Sequence, residues 1–200
     1  MLEQELLLAV TEELAIQQKI YENETIFPVN AQKVTFENVS FVKCQFPEGN
    51  FESGEFINVI LDGCNISNCR FKNAYFKNCS FINCKADGTN FSSAILKNVK
   101  MESSSFAYCN FVAALWEVIN ITDCDMKESF LSELKLKRPI LQNVNFTSAD
   151  FFRTKLKNVN LSECIITGIM VSDTFTELEG AKVDIYQAAE LAKLLKVQIV

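Results

Sequence analysis

The stretch Phe36-Glu37-Asn38-Val39-Ser40-Phe41-Val42-Lys43-Cys44-Gln45-Phe46 sets a phase that the chain keeps to Val171. A large apolar residue stands at every fifth position, through Phe51, Phe56, Leu61, Ile66, Phe71, Phe76, Phe81, Phe91, Phe111 and Trp116 to Phe151, Ile166 and Val171. Ala86 is the one small member, and no insertion breaks the series. A second series two residues earlier is small or weakly polar: Val34, Val39, Cys44, Gly49, Gly54, Val59, Cys64, and on to Cys164. A period of five is neither the 3.6 of a helix nor the 2 of a flat strand. Two inward side chains per five residues require the chain to turn before each new unit. One unit cannot bury its large residue alone, so successive windings must stack.

The units Ala149-Asp150-Phe151-Phe152-Arg153 and Thr89-Asn90-Phe91-Ser92-Ser93 resemble the A(D/N)LXX signature of the pentapeptide-repeat family. The resemblance implies an all-β solenoid, a right-handed quadrilateral β-helix with four units and twenty residues per coil. Phe36 to Val171 is then about seven coils, a rod roughly 34 Å long at about 4.8 Å between stacked strands. The expected division is a capping helix and connector over 1–25, the repeat over 26–175, and a closing helix and strand over 176–200.

Composition agrees with a folded chain, 48% of it apolar. No run approaches the roughly 18 apolar residues of a membrane span. Glu3 and Glu5 stand where a secretory leader carries positive charge, so the expected compartment is the cytosol. Met1 to Ile20 has helical spacing in Leu2, Leu6, Val10 and Leu14 and reads either as a cap on the first coil or as a dimerisation or partner helix. Tyr21 to Lys33 reads as a connector with a turn at Pro28.

Eight cysteines, 44, 64, 69, 79, 84, 109, 124 and 164, all fall in the small inward series. They lack CxxC spacing and the chain has no histidine, so they read as core packing, with no metal and no disulfide expected. Asn38, Asn58, Asn78, Asn98 and Asn158 fall on one corner, where amides can bond from coil to coil. The chain has no histidine, Gly-rich phosphate loop or nucleophile elbow, so no catalytic residue and no cofactor is expected.

Folded at twenty residues, the side through Phe36, Phe56 and Phe76 carries Lys77, Lys97, Lys135, Lys137, Arg138, Lys155 and Lys157 against Glu37, Glu55 and Glu117. This first side is net +4. The second and third, through Phe41 and Phe46, are each −2, and the fourth, through Phe51, is neutral. The chain's −6 comes from its ends, −5 over residues 1–25 and −2 over 173–200. The first side also stacks Tyr75, Ile95 and Leu115, with Ile57 and Val118 nearby, a candidate face for a protein partner.

Beyond Val171 the phase decays, with a loop over Thr174 to Gly180. Asp184 with Gln187 forms a variant capping box for a helix, and Val197 to Val200 alternates like an edge strand. Val183-Asp184-Ile185-Tyr186-Gln187-Ala188-Ala189 resembles the C-terminus of the Qnr and MfpA branch, bacterial pentapeptide-repeat proteins that bind DNA gyrase or topoisomerase IV and protect it from quinolones or toxins. That resemblance implies a homodimer joined tail to tail through Ile185, Tyr186, Leu191, Leu194, Leu195, Val197 and Ile199, and a rod that mimics DNA. The near-neutral rod with one basic side departs from a DNA mimic, which depends on a negative field. The expectation is a non-enzymatic binding protein with a topoisomerase partner, or alternatively a scaffold for another protein through the apolar and basic first side. Direct nucleic-acid binding is not expected.

Overall fold

Among the described residues, the one two past each large apolar residue from Ile16 to Leu156 takes the left-handed backbone conformation, from Gln18 through Asn38, Asn58 and Asn78 to Asn158, with Gly63 and Gly88 among them. One such residue per unit bends the chain through a corner. Asparagine tolerates this region better than other side-chain-bearing residues, which explains its recurrence there. The structure, a computed structural model, describes residues 2–27 and 29–197.

The chain forms a helix, α1 (Leu2–Glu12), and then winds as a parallel β-solenoid. The longer extended pieces are β1 (Ile16–Glu22), β2 (Thr35–Val42), β3 (Glu55–Ile57), β4 (Ile60–Asp62) and β5 (Tyr75–Lys77). They continue as β6 (Ser80–Ile82), β7 (Ile95–Glu102), β8 (Leu115–Thr122), β9 (Lys135–Lys137) and β10 (Ile140–Gln142). All lie on the first and second sides. Their register steps by twenty residues without a slip: Ile16 with Phe36, Phe36 with Phe56, Phe56 with Phe76, Phe76 with Leu96, Leu96 with Trp116, and Trp116 with Leu136. The third and fourth sides hold isolated parallel bridges in the same register, such as Gln45–Asn65–Lys85 and Asn50–Arg70–Asn90. Twenty residues therefore make one coil of four five-residue sides.

Inside, Phe51, Phe71, Phe91 and Phe111 form one column, with successive rings 5.1, 5.2 and 4.9 Å apart and within 9° of parallel. Phe36, Phe56 and Phe76 form another, at 5.2 and 4.6 Å. Rings from neighbouring sides meet edge to face, as Phe71 does with Phe76 at 5.5 Å. The small series is the complement of these rings. A Cβ on Gly49 would sit 2.5 Å from Val29 and 2.7 Å from Phe51.

The first coil begins at Ile16, twenty residues before Phe36, and Tyr21, Ile26 and Ala31 fill its other sides. The segment 21–33, expected as a connector, is mostly the remainder of this coil; its Pro28 turn lies outside the described residues. Helix α1 closes the open end. Leu2 and Leu6 enter the mouth of the tube above Phe36, Phe41, Phe46 and Phe51, where a cavity of about 10 Å³ has room for one water at most. Burying each leucine contributes about 1.5–3 kcal/mol. Val10 and Leu14, expected on the same face, are exposed, since the helix ends at Glu12 and its buried stripe is Leu2, Leu6 and Ala9. The Tyr21 hydroxyl donates to Glu5 at 2.7 Å and stitches cap to coil, and this bond holds the Glu5 carboxyl below its ordinary value.

At the other end the winding continues past Val171. Asn160 bridges Lys182, a step of twenty-two residues. The two extra residues are taken up by a 3-10 turn, Thr176–Leu178, so the expected loop over Thr174 to Gly180 still belongs to a coil. Helix α2 (Ile185–Leu194) follows. Val197 is the last described residue and is not in a strand; the rest of the expected edge strand lies outside the described residues.

The expected corner ladder is present from Asn38 to Asn98, and Asn158, beyond Val118 and Arg138 in the column, is not part of it. Asn58 donates to Asn38 at 2.9 Å, Asn78 to Asn58 at 3.0 Å and Asn98 to Asn78 at 2.8 Å. Val118 stands next in the column at φ 57°, strained for a β-branched side chain, and ends the ladder. Replacing Val118→Asn relieves the strain and gives the Asn98 carbonyl a donor. A gain of about 1–2 kcal/mol is expected, read as a rise of about 2–4 °C per kcal/mol in the thermal unfolding midpoint. An unchanged or lowered midpoint would contradict this account of the corner.

Candidate functional site: the first side and the tail

Of each five residues two point inward, so surface chemistry is carried by the other three, in columns one residue wide. On the first side the strands set these columns directly. Glu55, Tyr75, Ile95, Leu115 and Lys135 are consecutive register partners. The parallel column runs Glu37, Ile57, Lys77, Lys97, Glu117 and Lys137. Tyr75, Ile95 and Leu115 therefore form the continuous apolar stripe expected from sequence, with Ile95 its most exposed member at 37%. Ile57 lies on the same side in the neighbouring column.

Val118 belongs elsewhere. It lines a groove that rounds the corner onto the second side with Asn98, Val99, Lys100, Asn120 and Ile140. Ile140, exposed, was not singled out from sequence, nor were Phe130 and Phe152 on the fourth side. All three sit at outward phase positions, and that phase was the available signal. The Arg153 guanidinium lies over the Phe152 ring at 4.9 Å.

The charges of the first side are organised around Glu117. Its carboxylate lies 3.8 Å from the Lys97 ammonium and 3.7 Å from that of Lys137, one coil to either side. Among the described residues Lys77, Lys135, Arg138, Lys155 and Lys157 form no salt bridge. The basic excess therefore gathers at the C-terminal end of this side.

The tail residues divide by helix face. Ile185 and Tyr186 are 77% and 81% exposed, and Leu195 and Val197 are also exposed. Leu191 packs against the core and Leu194 is half-buried. Ile199 lies outside the described residues. The Asp184–Gln187 capping box is formed: the Gln187 N–H donates to Asp184 at 2.7 Å, and the Asp184 N–H donates to Gln187 Oε1 at 2.9 Å. The Gln187 Nε2 then donates to the Leu161 and Cys164 carbonyls at 2.7 and 2.6 Å, tying α2 to the last coil.

Those carbonyl bonds repeat a device used along the tube. Cys64 Sγ donates to the Phe41 carbonyl at 3.3 Å, Thr89 Oγ1 to Ile66 at 2.7 Å and Cys109 Sγ to Ala86 at 2.9 Å, each reaching back twenty-three residues. The small inward side chains are thus donors as well as fillers. All eight thiols are free and buried. Burial pushes Cys69 up to about 12 and Cys79, Cys124 and Cys164 up to about 11, which keeps them as inert thiols at neutral pH. Among the described residues no group of His, Cys, Asp or Glu is arranged to hold a metal ion.

One carboxylate is buried near the tail. Burial alone would push Glu177 up, but its own backbone N–H, that of Arg153 and the Ser172 hydroxyl more than offset this and hold it below its ordinary value. The Arg153 N–H and the Ser172 hydroxyl each donate at 2.8 Å. These bonds lock the 3-10 turn onto the last coil.

A model for the pentapeptide repeat region matches residues 29–111 and 55–131, and one for pentapeptide repeats in eight copies matches 130–168. HetL, a pentapeptide-repeat protein of heterocyst differentiation regulation in Nostoc, is 13% identical over 91% of this chain and 94% of its own, with a TM-score of 0.51. Trypsin-treated QnrB1, a plasmid-mediated fluoroquinolone resistance protein, is 19% identical over 94% and 99%, with a TM-score of 0.41. Rfr23 of the cyanobacterium Cyanothece is 10% identical over 90% and 99%, with a TM-score of 0.30. At these identities the likeness to HetL is one of fold alone. No curated protein matches the chain in sequence.

The Gln187 bonds give a test with a pH signature. In Gln187→Glu the box acceptor remains, but a carboxylate faces two carbonyls. Its folded-state pKa is expected above the unfolded value, so any stability it retains is present at low pH and is lost as pH rises. Stability should fall by about 1–3 kcal/mol at pH 7 and by less near pH 4, read from urea midpoints against wild type at each pH. An equal loss at both values would refute the donor role.

Proposed function

The chain belongs to the pentapeptide-repeat family, and from that premise we propose that it is a non-enzymatic binding rod whose contact surface is the first side. The observation that carries this reading is the stripe of Tyr75, Ile95 and Leu115, in register on a flat side and bordered by Lys77, Lys97 and Lys135. Half-exposed apolar side chains aligned over consecutive coils form a contiguous patch, and lysines at its edge favour a partner with carboxylates around an apolar centre. The tube's interior is filled by its own rings, so recognition falls to the outer columns.

The experiment is the triple variant Tyr75→Lys, Ile95→Lys, Leu115→Lys. These residues point outward, so the circular dichroism spectrum should stay as in wild type. Self-association and recovery of any bound protein should fall at least tenfold. If neither changes, the stripe is idle surface.

A second reading names the partner as a type II topoisomerase, DNA gyrase or topoisomerase IV. What favours it is the tail. The segment that resembles the Qnr and MfpA branch has its capping box formed and presents Ile185 and Tyr186 to solvent. Against mimicry of DNA stands the +4 first side, which would repel a basic DNA-binding groove. Under this reading, micromolar protein should inhibit gyrase supercoiling or relieve its inhibition by a quinolone. Neither effect at that concentration would remove the topoisomerase from consideration and leave the binding rod.

A further inference from the structure

On the first side the apolar stripe and the three carboxylates are arranged symmetrically about Ile95. One coil before it in the same column is Tyr75, and one coil after it is Leu115. Two coils before is Glu55, and two coils after is Lys135. In the neighbouring column, Lys77 and Glu117 lie one coil on either side of Lys97. Glu37, three coils before Lys97, matches Lys157, three coils after, by the same twenty-residue repeat. The side carries three carboxylates, Glu37, Glu55 and Glu117, and every one has a lysine at its mirror position in its own column.

We propose that this side docks a second copy of the same chain, antiparallel, about a two-fold axis through Ile95. The proposal rests on the first side being the contact surface and names its occupant. An axis lying across the face reverses the coil order and leaves each column opposite itself. Ile95 then meets Ile95, Tyr75 meets Leu115, Glu55 meets Lys135, Lys77 meets Glu117 and Glu37 meets Lys157. The apolar centre and the charge pairs share one axis, though nothing in the fold requires them to.

The contact is isologous and therefore closes, unlike a head-to-tail contact between the chain's different ends. Its one central like-charge encounter is Lys97 with its own copy, offset by Glu117 3.8 Å away. The surplus cations are Lys155 on an outer coil, Arg138 at a corner, and Lys137, which would face Ile57 and has Glu117 3.7 Å away; solvent and salt screen the first two. A strip one side wide and about seven coils long, roughly 34 Å, is at the small end of specific interfaces, so association in the micromolar range is expected.

Sedimentation equilibrium of the full chain at about 50 micromolar should give twice the 22.6 kDa chain mass. Glu37→Lys with Glu55→Lys should raise the dissociation constant at least tenfold, because each lysine then faces a lysine. Adding Lys135→Glu and Lys157→Glu should restore the dimer. Ile95→Cys should form a disulfide-linked dimer under mild oxidation, while Ile165→Cys, exposed on the third side, should not. The native thiols, being buried, should not compete.

A monomeric wild type overturns the self-docking but leaves the contact face standing if the triple lysine variant loses another partner. A dimer indifferent to the charge reversals, or one abolished by Tyr186→Asp in the tail, also overturns it. The contact face itself fails only if the triple variant changes neither mass nor partner recovery.

Discussion

Everything in this molecule depends on each coil completing the one beneath it. The Phe51 N–H donates to the Arg70 carbonyl, and the Arg70 N–H donates to the Gly49 carbonyl, both at 2.8 Å. The same alternation repeats around every side. A coil held this way satisfies its backbone only through its neighbours, and its rings find partners only in the same neighbours. Hydrogen-bond register and ring register are therefore one constraint. A one-residue insertion would turn inward residues outward for the rest of the tube. The chain tolerates a change of length only at its end, where the step from Asn160 to Lys182 is closed by a 3-10 turn and by the bonds of Glu177.

The interior was legible from sequence because the constraint is strict. Phe71, Phe91 and Phe111 lie inside as the phase requires, and the cysteines occupy the small inward positions. The first coil was not legible, for a reason visible in two residues. Ile16, Tyr21, Ile26 and Ala31 keep the large phase, but Lys19 and Glu24 stand where the small series should be. At the outermost coil only α1 lies beyond, so Lys19 is exposed and its ammonium sits 3.2 Å from Glu5 instead of meeting a coil below. The signal fails where the packing that generates it ends.

The candidate site was partly legible for a related reason. Columns of outward residues follow from the twenty-residue repeat, so the stripe of Tyr75, Ile95 and Leu115 could be read in advance. Grouping across a corner could not. Val118 and Ile140 meet because the tube turns between the first and second sides, and a linear list of columns does not show which corner faces which groove. The donor role of the inward thiols and hydroxyls was also hidden, since it depends on a carbonyl twenty-three residues back being left with a free lone pair at the turn.

This division of labour explains why fold and function separate so cleanly here. Inward positions are fixed by packing, and corner positions by the left-handed backbone; the remaining outward positions answer to neither. Two such rods can share a fold at 13% identity, as this chain and HetL do, because outward columns are free to differ. Function in this chain is then to be sought in outward columns whose order means something beyond the repeat. Two columns that set each of three carboxylates opposite a lysine about the coil of Ile95 and Lys97 have a property that neither the hydrogen-bond register nor the core demands. What the fold does not require, binding can have selected, and the rigid twenty-residue register makes such an arrangement exact enough to be recognised.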